Sequence, residues 1–170
     1  MDGGVVQDGR DLKSAMPIAI RPVEERDIAA MAAIRARERA TEAFWAPRIA
    51  AYLSGEHSPQ QALAARAAFV ATEGDAMLGF VSGHRTRRYG CDGELQWVNV
   101  AEEARGRGIA GMLMERMAEW FVEQGALRVC VNVAPDNVPA VRLYAKHGAK
   151  PLNEHWMVWD DVRRMKRGLE

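Results

Sequence analysis

A glycine-rich turn between a strand and a long helix is the feature that most constrains this chain. The segment Arg105-Gly106-Arg107-Gly108-Ile109-Ala110 follows a strand predicted over 94–100 and opens a helix predicted from about 104 to 124. The first amides of a helix have no partner within it, and the helix dipole adds about half a positive charge there. Glycines let a bulky anion approach those amides, and Arg105 and Arg107 can add charge. The turn is therefore predicted to hold a phosphate or pyrophosphate group.

The helix that follows this turn has one apolar face. That face carries Ile109, Leu113, Met117, Trp120 and Phe121, and Gly125 ends the helix. The next segment, 127–133, is a continuous apolar run, which is typical of a strand covered on both faces.

The rest of the chain predicts a meander of strands between helices. A strand at 17–21 precedes helices over 24–39 and 41–53, and Ser58-Pro59 predicts the start of a third helix that ends near Ala67. Strand patterns follow over 68–72, 77–86 and 94–100, separated by turn residues. After the central helix and strand, a helix over 136–145 and a strand over 156–159 complete the pattern. This order predicts an α+β fold with a mixed, mostly antiparallel sheet.

Length and composition indicate one globular unit, with a flexible tail over 1–16 and a single domain over 17–165. The tail lacks the apolar segment of a signal peptide. Equal numbers of basic and acidic residues, 23 of each, give no net field toward nucleic acid or a membrane. Cys91 and Cys130 lack the spacing of a metal site, and nothing in the sequence brings them together, so we expect no metal and a reduced cytoplasmic setting.

Three interpretations of the glycine-rich turn compete on its residues alone. It could be a tight loop with surface arginines, or a dinucleotide site, because Gly106, Gly108 and Gly111 match G-x-G-x-x-G. The late position of the motif and the half-polar strand before it argue against the dinucleotide site. A P-loop is excluded because no Gly-Lys-Ser/Thr follows. The third interpretation is a site for the pyrophosphate of coenzyme A.

Two motifs in order favour the third interpretation. Arg105, Gly108 and Ala110 fit the pattern Q/R-x-x-G-x-G/A. The segment 136–148 fits N-x-x-A-x-x-L/F-Y-x-K-x-G at Asn137, Ala140, Leu143, Tyr144, Lys146 and Gly148. Over about 77–150 the chain therefore resembles the GNAT N-acetyltransferase superfamily. Ala149 departs from that family, which usually has an aromatic residue there, and segment 40–66 matches no motif.

The resemblance implies a GNAT-like acyl-CoA N-acyltransferase fold, whose central sheet splays and is flanked by helices. It implies acetyl-CoA as co-substrate, a small-molecule or peptide amine as acceptor, and the homodimer that is frequent in the family. The backbone of Val98 and Val100 would bind the pantetheine arm, and Asn137 would bond the pantetheine or phosphate region. The pyrophosphate would lie on the turn and first helical residues, namely Arg105, Gly106, Arg107, Gly108, Ile109, Ala110 and Gly111.

Acetyl transfer to an amine requires a base, an oxyanion donor and an acid. An amine with a pKa of about 10.4 loses its proton at pH 7 at a cost of roughly 4–5 kcal/mol. The resemblance implies Tyr144 as the acid that protonates the coenzyme A sulfur and Glu94 as the base. Strand alternation predicts that Glu94 shares one face with residues 96, 98 and 100. Alternatively, Tyr144 is a packed aromatic, Glu94 a solvated strand end and Asn137 a helix N-cap.

Aromatic residues offer walls for an amine with an apolar body, although core packing explains them equally well. These residues are Phe44, Trp45, Tyr52, Trp97, Trp156 and Trp159. Two other classes of function remain open: a non-catalytic acyl-CoA-binding module, and an oxidoreductase that binds NAD(P) at Gly106–Gly111.

Overall fold

A single seven-stranded sheet forms the centre of the molecule. The computed structural model describes residues 16–167, so residues 1–15 of the tail predicted over 1–16 lie outside the described residues. The strands are β1 (Ile18–Pro22), β2 (Ala62–Glu73), β3 (Ala76–Thr86), β4 (Gly93–Val100), β5 (Val129–Asn132), β6 (Lys150–Asn153) and β7 (Trp156–Trp159). The α-helices are α1 (Ile28–Glu38), α2 (Glu42–Ser54), α3 (Ile109–Glu123) and α4 (Val138–Lys146). Short 3₁₀ turns lie at Glu25–Asp27, Arg88–Gly90, Glu102–Ala104 and Val162–Arg167.

The sheet order is β1-β2-β3-β4-β5-β7-β6, and every neighbouring pair is antiparallel except β4 and β5. The parallel pair is joined by α3, because a parallel connection must cross back over the sheet. The predicted α+β class with a mixed, mostly antiparallel sheet is confirmed.

Helices cover both faces of the sheet. α3 packs across β1 to β4 and comes so close to β3 that a Cβ at Gly83 would lie 2.9 Å from the Met117 and Phe121 side chains. On the opposite face, α1 contacts β3 and β4, and α2 contacts β2. The apolar face of α3 contributes Ile109, Leu113, Met117 and Phe121 to the core, as the sequence predicted, whereas Trp120 on that face is only partly buried.

A β-bulge in β4 changes which side chains share a face. Ser82 pairs with Trp97 but its neighbour Gly83 pairs with Leu95, so Gln96 is the extra residue. Because the bulge shifts the alternation, Glu94 lies on the α1–α2 face with Trp97 and Asn99. The expectation that Glu94 shares a face with Val98 and Val100 is wrong, since strict alternation ignores such an insertion.

The third helix predicted over 58–67 is also wrong. Most of this segment belongs to β2, which extends from Ala62 to Glu73 between β1 and β3. Its alanine-rich sequence favours a helix locally, but pairing of Ala62, Arg66 and Ala67 with β3 outweighs that propensity. The segment enters the strand at Gln61, which has a left-handed φ of 68°.

The start of α3 and the strand β6 also differ from the predictions. α3 begins at Ile109 rather than near 104, because Gly106 and Gly108 adopt left-handed conformations that keep the turn out of the helix. β6 was not predicted, because its short sequence, Lys-Pro-Leu-Asn, lacks apolar alternation.

The two cysteines lie together, contrary to the expectation from sequence. Both thiols are free and buried beside Trp156 and Val158. The hydrogen bond between them lowers the pKa of Cys91 and, together with burial, raises that of Cys130. Parallel pairing of β4 with β5 places Cys130 opposite Glu94 and therefore near Cys91. No pattern in the sequence predicts this pairing.

No helix between residues 16 and 167 is both long and apolar enough to cross a bilayer.

Candidate active site

A cleft opens where β4 and β5 diverge. These strands pair only from Gly93 to Leu95 on β4 and from Val129 to Val131 on β5. Beyond that point β4 continues to Val100 beside β3 alone, and a cavity of about 1380 Å³ lies along it. The side chains of α1, the N-terminus of α3 and helix α4 complete the walls.

The free edge of β4 presents backbone groups to this cleft. The Ala101 amide donates to the Leu78 carbonyl at 2.8 Å, so the Ala101 and Leu78 pair is a hydrogen-bonded one. Hydrogen-bonded pairs alternate along an antiparallel ladder, so Val98 and Val100 direct their N–H and C=O groups away from β3. These groups can pair with an extended ligand that enters as an added strand.

The glycine-rich turn leads directly into α3 at the other end of the cleft. Gly106 and Gly108 have φ values of 82° and 77°, and a Cβ at either would meet nothing within 4 Å. Glycine is therefore needed for backbone conformation rather than for space. Among the described residues, none accepts a hydrogen bond from the amides of 106–111. These amides, with Ile109 and Ala110 lining the cleft, form a group of donors suited to a phosphate.

The other residues predicted at the turn are placed differently. Arg105 lines the cleft and pairs with Glu38 at 3.5 Å. Arg107 pairs with Glu73, with a second contact at 3.4 Å, and is not among the residues that line the cleft. A Cβ at Gly111 would lie 3.2 Å from the His147 ring, so this glycine lines the cleft and also lets α3 pack against the end of α4.

Asn137 and Tyr144 project from α4. Asn137 is the N-cap, because its side-chain oxygen accepts from the Ala140 amide at 3.3 Å, and it also lines the cleft. Tyr144 is 7% exposed and packs edge-on against Trp159, with ring centroids 5.8 Å apart. Burial raises the pKa of Tyr144 to about 12, although the Arg35 charge opposes that shift. The phenol therefore keeps its proton at neutral pH.

Glu94 lies on the floor of the cleft and is only 4% exposed. Its Oε1 accepts from Arg88 Nε at 3.0 Å, and its Oε2 lies 3.7 Å from His84 Nε2. Burial raises the pKa of the Glu94 carboxyl, while the Arg88 charge acts in the opposite direction. The interpretation as a solvated strand end is wrong, because Glu94 is a buried and oriented carboxylate.

Several side chains around the cleft were not singled out from the sequence. Arg35 donates to Asn99 Oδ1 at 2.8 Å and stacks over Trp45, with its guanidinium carbon 4.0 Å from the ring centroid. Arg88 links Glu94 to the Gln60 carbonyl, at 3.0 Å, and stacks over Trp156. Arg35 on α1, Arg88 in the 3₁₀ turn and Asn99 on β4 are far apart in sequence and form no motif, so only tertiary contacts reveal them.

The predicted aromatic residues have different locations, and Phe44 is exposed away from the cleft. Trp97 and Trp156 line the cleft. Tyr52 is buried behind Trp97, with ring centroids 5.0 Å apart, and Trp159 is buried in the core. Pro59 is the part of segment 40–66 that lines the cleft. Within residues 16–167, no group of three His, Cys, Asp or Glu side chains is placed to hold a metal ion.

Two curated relatives resemble parts of this chain. The uncharacterized N-acetyltransferase YobR of Bacillus subtilis is 40% identical over 63 residues, which is 37% of this chain and 26% of that protein. The mycothiol acetyltransferase of Corynebacterium aurimucosum is 42% identical over 67 residues, 39% of this chain and 22% of that protein. The matched stretch thus spans about a quarter of the length of each relative.

The fold has solved counterparts. The PaiA N-acetyltransferase from Thermoplasma acidophilum, in complex with coenzyme A, superposes with a TM-score of 0.64 at 16% identity, covering 84% of this chain and 98% of that one. At this identity the likeness concerns the fold alone. The model of the Acetyltransferase (GNAT) family matches residues 37–149, which include β4, the glycine-rich turn and α4. The chain therefore belongs to the GNAT acetyltransferase family.

Proposed function

We propose that this protein transfers the acetyl group of acetyl-CoA to a primary amine. The observation that carries the proposal is the cleft between β4 and β5. One pair of features in this cleft is the open edge of β4 and the glycine-rich entrance to α3. The second pair is the buried carboxylate of Glu94 and the buried phenol of Tyr144. The first pair suits an extended thioester with a pyrophosphate, and the second pair suits proton transfer during amine attack.

The binding roles follow from the chemistry of each group. The amides of 106–111 would hold the pyrophosphate, with Arg105 adding charge. Val98 and Val100 would pair with the pantetheine amides through their free backbone groups, and the Val98 amide would face the thioester oxygen. Asn137 has its side-chain NH₂ left for the same arm, because only its oxygen is used in capping. Arg107, engaged with Glu73, would contribute mainly its backbone amide.

The proton path begins at Glu94. This carboxylate would accept the amine proton as the nitrogen bonds to the acetyl carbon and the carbon–sulfur bond breaks. Burial favours this role, because a carboxylate with a raised pKa binds a proton more readily than one in water. The sulfur leaves with the bonding electron pair and gains a proton, which restores charge balance.

Tyr144 would act on the sulfur chiefly as a hydrogen-bond donor. Complete transfer from a phenol with a pKa of about 12 to a thiolate with a pKa of about 8.5 costs roughly 5 kcal/mol. A hydrogen bond that strengthens as negative charge develops avoids that cost. Tyr144 thus stabilises the departing thiolate, and solvent then supplies the proton.

The acceptor end of the cleft favours an amine with an apolar body. Trp97 and Trp156 provide flat apolar surface near Glu94, and Pro59 extends that surface. Glu94 is already paired with Arg88, so this end lacks the surplus of carboxylates that a polyamine would need.

Calorimetric titration and an amine panel test this function. We expect acetyl-CoA to bind and NADH not to bind, and at least one apolar primary amine to give acetyl-CoA-dependent release of free thiol. Replacement of Tyr144 by Phe should lower kcat about 10- to 150-fold, the value of one hydrogen bond to a charged group. Binding of acetyl-CoA without turnover on any amine would indicate an acyl-CoA-binding module, and full activity of Tyr144→Phe would exclude its assigned role.

A further inference from the structure

A buried histidine lies directly behind the proposed base. His84 on β3 is 0% exposed, and its Nε2 is 3.7 Å from Glu94 Oε2. Its other nitrogen, Nδ1, lies 2.8 Å from the hydroxyl of Tyr52, which projects from α2. Tyr52, His84 and Glu94 thus form a line of polar groups that runs from the interior to the floor of the cleft.

The burial of Tyr52 fixes the direction of its hydrogen bond. Burial raises the pKa of the Tyr52 phenol, so the phenol keeps its proton and needs an acceptor. His84 Nδ1 is within hydrogen-bond distance, so the phenol donates to Nδ1. In the opposite arrangement the phenol proton would have no acceptor among the described residues.

The tautomer of His84 follows from that bond. Burial, together with the charges of Arg66 and Arg88, lowers the pKa of His84 to about 4, so the ring is neutral at pH 7. A neutral imidazole that accepts at Nδ1 carries its proton on Nε2. Within the described structure Nε2 has no hydrogen-bond partner, and Glu94 Oε2 is the carboxylate oxygen facing it.

We propose that His84 is a positioning residue for Glu94, which holds the carboxylate in its charged, proton-accepting form by directing Nε2–H at Oε2. The inference rests on the proposed role of Glu94 as base. At 3.7 Å the contact is electrostatic, and an approach of about 0.5 Å would make it a hydrogen bond. Arg88 fixes Oε1 from the other side, so the two donors together fix the plane of the carboxylate.

Other titratable groups lie near Glu94, but of these only Arg88, in the 3₁₀ turn at 88–90, acts directly on its charge. The Glu94 charge in turn opposes ionisation of Cys91, which follows that turn, and of Cys130 on β5. Arg66 on β2 lowers the pKa of His84, donates to the Tyr52 carbonyl at 2.8 Å and lies over the Tyr52 ring. Among these neighbours, only Arg88 and His84 present an N–H group to the carboxylate itself.

The tautomer can be measured without any turnover. In ¹⁵N-histidine-labelled protein, we expect His84 to show an unprotonated Nδ1 and a protonated Nε2 from pH 5.5 to 8. The His84→Gln variant assigns the signals, and Tyr52→Phe should weaken the preference because Nδ1 loses its donor. A proton on Nδ1, or titration near pH 6.5, would overturn the proposal.

A titration of Glu94 tests the consequence. Carbon-13 NMR of the carboxyl group should show a pKa about one unit higher in His84→Leu, because the N–H that favours the charged form is gone. His84→Gln is the matched control, since its amide N–H can replace Nε2–H and should keep the pKa near that of the wild type. An unchanged Glu94 pKa in His84→Leu would refute the positioning role, whether or not an amine acceptor is known.

Once an amine acceptor is known, the apparent pKa of the acidic limb of the kcat/KM pH profile should rise together with the pKa of Glu94. We expect this limb about one pH unit higher in His84→Leu and close to wild type in His84→Gln. A purely structural role would lower activity at all pH values without moving the limb. If the NMR results hold but no amine is acetylated, the proposed function fails while the positioning geometry stands.

Discussion

The two ends of the cleft differ in the groups that they present: backbone groups at one end and side chains at the other. The end that would hold acetyl-CoA uses backbone: the amides of 106–111 and the free edge of β4 at Val98 and Val100. The end that would hold the amine uses side chains, with Glu94 fixed by Arg88 and faced by His84. The first end depends on chain conformation and the second on chemical identity, so substitutions should affect the two ends in different ways.

This difference has a physical origin. A pyrophosphate and an extended arm present repeated acceptors and donors, which the backbone of a helix entrance and a strand edge can match with almost any side chains. Proton transfer instead needs one titratable group with a tuned pKa in one place. The end that would hold acetyl-CoA, here called the donor end, should therefore tolerate most side-chain changes except at its glycines. The end that would hold the amine, the acceptor end, should tolerate few.

Loss of the carboxylate at the acceptor end should have the largest effect. We expect Glu94→Gln to lower kcat/KM by about 10²- to 10⁴-fold, because a positioned base contributes that much. The amide oxygen of Gln can still accept from Arg88, so the fold should persist. Calorimetry should find an unchanged affinity for acetyl-CoA. A comparable loss of that affinity would show that the two ends are not separate.

Backbone conformation at the donor end should come next. Gly108 and Gly125 both have left-handed φ values, 77° and 73°, and both have open space around the missing Cβ. An alanine at either should cost about 1–2 kcal/mol of stability. Only Gly108→Ala should also weaken acetyl-CoA binding, by about tenfold, the value of one lost amide hydrogen bond.

Gly125 ends α3 at its other end and serves as the matched control. Thermal unfolding should show similar destabilisation of the two variants. Titration with acetyl-CoA should show weaker binding for Gly108→Ala alone. Equal affinity of both variants for acetyl-CoA would contradict a role for the turn in binding.

The smallest effect should distinguish the two arginines of the turn. Arg105 lines the cleft, whereas Arg107 is paired with Glu73 away from it. We expect Arg105→Ala to raise the Kd for acetyl-CoA about fivefold, because the charge-assisted bond that is lost comes from a half-exposed side chain. Arg107→Ala should raise the Kd less than threefold, because an exposed ion pair contributes little. Titration at low and moderate salt measures both, and the reverse order would show that Arg107 leaves Glu73 on binding.

Elements whose pattern is set by neighbouring residues could be predicted from the sequence. The apolar face of α3, the strand at Trp156–Trp159 and the turn at Gly74 were predicted correctly, since period and turn residues are set by neighbours in the chain. The helix predicted at Ala62–Ala67 was wrong, because pairing with β3 turns this helix-prone segment into the first half of β2. The strand face predicted for Glu94 was also wrong, because one inserted residue in β4, Gln96, reverses the faces after it.

The sequence alone determined the donor end, because glycines before an amphipathic helix and a strand before them are consecutive in the chain and their geometry is local. Tyr144 and Asn137 followed because they occupy one helical motif. Only the tertiary structure decided the surroundings of Glu94, since Arg88, His84 and Tyr52 come from different elements. Burial and pairing of charges depend on distances between remote segments, and the pKa of Glu94 depends on both.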